Sequence, residues 1–338
     1  MEPEEGTGGF IEARLVKIFD ELDEECEGGE GDEASLTEEE RAENLLAAER
    51  DLLRRHMGLP RKAGDPAPRP PRNIAGFFIE RAAREARCKL PTCWKPIPPG
   101  DYRLALAPGM DLEDWNRGQL GSVDYYHIRC FEEIADFSES AFLDRVYPVT
   151  RNTYNLRVLK GTGILDGKYL LDAGAESLVT AWSISRDRLI DDRDGVHREI
   201  DQTSKDFADL VLKAGTPGFK LPEPEGMMPQ ELWYRANHLA PVENDGPDDT
   251  EPWSLHEEYL DDSPESLDNK HDLSEMLELW SIHRRILHSE DGTPEMQVLV
   301  HKLRDQLGPK GLRAIERMST VLMPDMQAIR FGALAGAS

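Results

Sequence analysis

Long apolar runs are missing from this 338-residue chain. No stretch of about 18 apolar residues occurs, so no membrane-spanning helix is expected. The first ten residues, MEPEEGTGGF, lack the basic start and apolar core of a secretory signal, which predicts an intracellular protein. Cysteine is scarce, with four in the whole chain. That is too few for a disulfide framework, and a reducing compartment leaves thiols free for other chemistry. Basic charge is also in deficit: 40 Lys and Arg face 66 Asp and Glu, for a net charge of −26. The apolar fraction, 39%, is low for a globular domain, and 23 prolines and 27 glycines interrupt the patterning. Phosphate-binding glycine loops, dinucleotide fingerprints and a ligase-type lysine motif are absent, and no nucleophile and base are arranged for catalysis.

Three of the four cysteines fall between Ile74 and Phe137. Cys88, Cys93, His127 and Cys130 read as C-x4-C-x33-H-x2-C, a single set of four metal-type ligands. Thiolates with one imidazole suit a closed, tetrahedral, structural zinc site. His127 and Cys130 lie one helical turn apart and so share a face. Pro91 supplies a turn between the first two sulfurs. One structural Zn2+ is therefore expected, with binding worth on the order of 10–16 kcal/mol to folding. Cys26, within DEECEGGEGDE, is read as a free surface thiol.

The remaining chain reads as appendages. Residues 10–25 place Phe10, Ile11, Leu15, Ile18, Phe19 and Leu22 on one helical stripe. Thr37 and Glu40 form a capping box opening a second helix, and Arg54, Arg55 and His56 suit its last turn before Gly58 and Pro60. Residues 60–73 hold five prolines with Arg61, Lys62, Arg69 and Arg72, an extended cationic linker. From Arg61 to Arg103, ten basic residues face four acids, a local +6 in an acidic chain and the footprint expected for phosphate contacts. A helix is expected over Ala175–Arg193, with a weaker one over Val196–Ala214. Residues 243–268 carry eleven acids and no Lys or Arg, and read as a disordered acidic spacer. Helical patterns return over Asp272–His288, Thr293–Leu307 and Lys310–Met323. His283, His288 and His301 are read there as ordinary helix residues.

The expected architecture is an α+β small zinc-finger module flanked by mainly α-helical segments and long disordered acidic linkers. Its divisions are 1–58 (helical pair), 59–73 (Pro/Arg-rich linker), 74–147 (finger), 148–214 (mixed extension), 215–270 (acidic linker) and 271–330 (C-terminal helices).

The ligand region resembles the PARP-type zinc finger, the nick- and end-sensing module of poly(ADP-ribose) polymerases and of the nuclear DNA ligase that shares it. The resemblance covers about a fifth of the chain. It rests on the ligand order, on Glu80, Ala82, Arg87 and Lys89 around the first ligand, on Ile97-Pro98-Pro99-Gly100 and Arg103-Leu104-Ala105, and on Tyr125-Tyr126-His127 and Cys130-Phe131. The first ligand pair is spaced by four residues instead of the family's two, and the long interval is slightly extended. What the resemblance implies is a noncatalytic nuclear protein that binds nicked or broken DNA. Arg103 would contact phosphate or an exposed base, with Arg84, Arg87 and Lys89 on the backbone. Met110, Leu112, Trp115 and Leu120 would stack on bases, beside acids Asp111, Glu113 and Asp114 that repel phosphate. The alternative is a zinc-stabilised protein-interaction adaptor that engages partners through its terminal helices.

Overall fold

The structure is a computed structural model, and it describes residues 37–61, 76–93, 95–107, 123–151, 153–154, 156–157, 167–196, 202–214, 253–288 and 293–323. The expected helix over 10–25, Cys26 and most of the 60–73 linker lie outside them. Two compact units divide the chain, 1–45 and 46–338.

Helix α1, Glu38–His56, starts at the box read from the sequence: the Glu40 carboxylate accepts from Thr37 N at 2.7 Å, and Thr37 Oγ1 accepts from Glu40 N at 3.2 Å. It stops at Gly58, whose φ of 72° suits glycine, with Leu59 N donating to Arg54 O. In the second unit, Leu53 and Met57 enter the main core.

A four-stranded sheet in the order β5-β4-β1-β6 is built from β1 (Gly76–Arg81), β4 (Tyr102–Ala107), β5 (Asp124–Tyr126) and β6 (Val146–Pro148). Strands β4 and β5 are antiparallel to their neighbours, and β6 runs parallel to β1. β1 reads GFFIER without polar alternation because both its faces are covered. Phe77 and Ile79 point into the main core, while Phe78 joins Ala105, Val149, Tyr154 and Leu170 on the other side. β2 (Ala86–Arg87) and β3 (Pro96–Ile97) pair as a separate two-stranded antiparallel ribbon.

Helices close the main face. Short α2 (Ile128–Glu132) and α3 (Ser140–Leu143) follow the sheet, then α4 (Ala173–Asp194) and α5 (Gln202–Ala214). After these come α6 (Leu255–Tyr259), a 3-10 turn (Pro264–Asp268), α7 (Asp272–Leu287) and α8 (Pro294–Met318). α8 breaks at Gly308, with φ 68° ahead of Pro309, where the sequence separates two helical patterns. A relay of aromatic rings ties sheet to helices: Phe77 to Phe131 at 5.0 Å, Phe131 to Phe137 at 6.2 Å, and Phe137 to Trp182 at 5.7 Å.

Mixed α/β architecture with a small sheet is therefore established, and it departs from the expected layout in two ways. Finger and C-terminal helices are not separate bodies, since one core runs from Leu53 through Phe131 and Trp182 to Met318. Within the acidic stretch 243–268, the described part, 253–268, is folded, because Leu255 and Tyr259 are apolar anchors buried against that core. Their acidic neighbours Glu257, Asp261 and Asp262 stay on the outer side.

Candidate metal centre

Four ligand side chains converge from two distant segments. Cys88 directly follows strand β2, and its N–H donates to Lys95 O at 3.0 Å across the ribbon. Cys93 closes a turn in which its own N–H donates to Leu90 O at 2.9 Å, with Leu90 buried as the anchor. The wider four-residue spacing is absorbed by that turn. His127 stands at the start of α2 and Cys130 in its first turn, with Phe131 N donating to His127 O at 3.0 Å. The ribbon is fastened to the second segment by Lys89 N donating to Tyr125 O at 2.9 Å.

One ligand atom from each of the four residues lies within 4.8 Å of the others. His127 Nδ1 is 3.6 Å from Cys93 Sγ and 3.7 Å from Cys130 Sγ. Tetrahedral zinc bonds of ordinary length would set such nitrogen–sulfur pairs about 3.6 Å apart. His127 Nε2 lies 3.3 Å from Pro96 O, the outer contact that orients a ligating imidazole and leaves Nδ1 for the metal. Among the described residues no other group of three or more such side chains meets in this way.

The electrostatics point the same way. A thiol hydrogen bond from Cys130, followed by contacts to His127, holds Cys88 down to about 4. Cys130 is in turn pushed far up, first by that same bond to Cys88 and then by burial. The His127 imidazolium is favoured by the Cys88 sulfur. Crowded sulfurs thus give up one proton readily and resist losing the next, a conflict that a divalent cation resolves. These residues can hold a metal ion, and their donor set is compatible with structural zinc.

Arg84 and Arg87 are exposed, Lys89 is half-buried and Lys95 is exposed, all on or next to the ribbon strands. Arg103 does not fit its expected role as a phosphate contact. It is 1% exposed, and its Nε and Nη2 donate to Glu80 Oε1 at 3.0 and 2.7 Å. Register explains this, because Glu80 and Arg103 are direct cross-strand partners on the second face of the sheet. Arg157 Nε donates to Glu80 Oε2 at 2.9 Å, and the Arg103 guanidinium stacks 3.8 Å above the Tyr125 ring. Met110, Leu112, Trp115 and Leu120, together with the acids of 111–114, lie outside the described residues.

Sequence reading missed several buried carboxylates, Asp172 and Asp272 among them. Asp172 caps α4 by accepting from Ala175 N at 3.1 Å, and it also accepts from Trp280 Nε1 at 2.9 Å, from Tyr102 Oη and from Arg284. Asp272 accepts from Trp182 Nε1 at 2.7 Å and from Arg186 Nη1 at 2.9 Å. Asp172 did carry a local signal, an N-cap residue ahead of a helical run. Nothing local marks its three distant donors.

Comparison with known proteins finds no match to any family model, curated protein or solved structure.

Proposed function

We propose that the protein is a noncatalytic, nuclear DNA-binding protein, its ribbon stabilised by zinc at Cys88, Cys93, His127 and Cys130. The reading rests on one observation above all: Arg84, Arg87, Lys89 and Lys95 lie on or next to the ribbon segment that carries Cys88 and Cys93, two of the four candidate metal ligands. A metal-clamped ribbon presents cations at fixed spacing, and such contacts position a phosphate backbone without reading sequence. Ligand order and the flanking residues resemble the PARP-type finger, which favours nicked or broken DNA. Arg103 has no part in this surface.

The zinc-loaded full chain is titrated against nicked and intact duplex at several salt concentrations. Expected is binding whose log K falls with log salt, and a preference for the nicked duplex. Replacing Arg84, Arg87 and Lys89 together by Ala should lower the slope by about 0.9 for each phosphate that is no longer neutralised. No salt-dependent binding to either duplex would sink the proposal.

A protein-interaction adaptor is the second reading. The net charge of −26 opposes approach to nucleic acid, and Val298 and Leu299 stand exposed on α8. A stable protein complex formed by a chain that ignores both duplexes would select it.

A further inference from the structure

Helix α7 is fastened at its N-terminus to the segment that carries His127 and Cys130, and further along, through Asp172, to strand β4. At its N-terminus, buried Glu132, two residues beyond Cys130, accepts from Ser274 N at 3.0 Å and from Ser274 Oγ at 2.5 Å. The same carboxylate faces His271 Nδ1 at 3.2 Å. Glu133 pairs with Lys270 and, at 3.1 Å, with His271 Nε2. Arg129 pairs with Glu275 at 3.5 Å. His271, at the N-cap position, offers α7 no side-chain cap of its own. Glu132 therefore satisfies the orphan amide and places negative charge at the positive end of the helix dipole.

Further along α7, Trp280 and Arg284 donate to Asp172, which also accepts from Tyr102 on β4. β4 is hydrogen-bonded to β5, whose last residue, Tyr126, precedes His127. Both routes thus begin at a metal-ligating segment and end on α7.

Helix α2 is only five residues long, far too short to persist without tertiary support. Phe131 packing supplies part of that support. Linkage of His127 and Cys130 to Cys88 and Cys93 supplies the rest when metal joins them. If α2 loses that linkage, Glu132 moves, Ser274 N is left without its acceptor, and the first turn of α7 is uncapped.

We propose that occupancy of the Cys88–Cys93–His127–Cys130 site governs the docking of helix α7, with Glu132 and the Tyr102–Asp172 pair as the transmitting contacts. This rests on the reading of those four residues as a zinc site. The metal centre then regulates a helix that contributes none of its ligands, and α7 is the element through which metal state reaches the C-terminal part of the molecule.

Hydrogen exchange read by mass spectrometry tests this on the full chain, alongside its zinc content. Three states are compared: zinc-loaded, stripped by a chelator, and reloaded with Zn2+ alone. Stripping should accelerate exchange in α7 at least ~10-fold more than in α4, and reloading should reverse it. Glu132→Ala should show the same α7 acceleration while still holding one zinc, and Tyr102→Phe a smaller one. If Glu132→Ala fails to fold, Ser274→Ala, which removes the hydroxyl's bonds to Glu132 and His271 O but keeps the amide cap, should give a smaller α7 acceleration in the zinc-loaded chain, and exchange like wild type there would count against the inference. Unchanged α7 exchange on stripping, equal acceleration in α4 and α7, or a zinc-loaded Glu132 variant exchanging like wild type overturns the inference while leaving the zinc site standing. A full chain that retains no zinc overturns both.

Discussion

Arg103 lies ten residues beyond Cys93 in a locally basic stretch, and the family resemblance made it a phosphate or exposed-base contact. Its guanidinium is instead spent on Glu80 and on the ring of Tyr125. A charge this deep is tolerated only when paired, and Glu80 is bracketed by Arg103 and Arg157 for that reason. Glu176 is the converse case. It is 5% exposed in the first turn of α4, and burial raises its carboxyl to about 7, with Arg151 opposing and the Asp172 charge adding. Between its ordinary 4.5 and that raised value, the folded protein binds a proton that the unfolded chain has released. Stability should therefore fall as pH rises through this window, by on the order of 3 kcal/mol from this group. Glu176→Gln should flatten that part of the profile and be the more stable protein at pH 8, as urea denaturation across pH 5 to 8 would reveal. A variant with the wild-type slope would exclude Glu176 as the source.

Elements were legible where their signals are local. The capping box of Thr37 and Glu40 and the Gly308-Pro309 break each need only a few neighbouring residues, and the structure has helix boundaries at both. The packing of α4 against α7 was not legible. Gly174 allows the approach: a Cβ there would stand 2.1 Å from Trp280 Cζ2, inside the contact distance of two carbons, and the indole is held by its bond to Asp172. Alanine favours helices by up to about 1 kcal/mol over glycine, yet overpacking costs typically about 1–3 kcal/mol, so the clash prevails. Gly174→Ala should lower the melting temperature. Tryptophan fluorescence should report a disturbed Trp280. An unchanged or raised melting temperature would mean that α7 moves away at little cost.

For the whole molecule, the main consequence is that the segment carrying the candidate metal site shares its core with the C-terminal helices. Phe131 and Phe137 lead directly to Trp182, and Arg186 on the same helix donates to Phe137 O at 3.2 Å. A fragment spanning 61–140 would expose those faces. Even with zinc it should give few dispersed amide NMR signals, whereas 46–323 with zinc should give a full set. A well-dispersed spectrum from the short fragment would show that the metal module folds alone. Among the described residues no helix is long and apolar enough to cross a membrane.

The sequence by itself determined which four side chains form the candidate metal cluster, their order and the concentration of basic charge around them. Metal donors are recognised by residue type and short spacing, and neither depends on the rest of the chain. It also determined several helix ends, since caps and breaks act within a turn. Tertiary structure decided which charges are available. Glu80 meets Arg157 across 77 positions and Asp172 meets Arg284 across 112, distances over which no periodicity carries information. It also decided that an acidic stretch contributes two core anchors, Leu255 and Tyr259. Burial of a side chain is set by what the fold brings opposite it, and for Arg103 that was the neighbouring strand's Glu80.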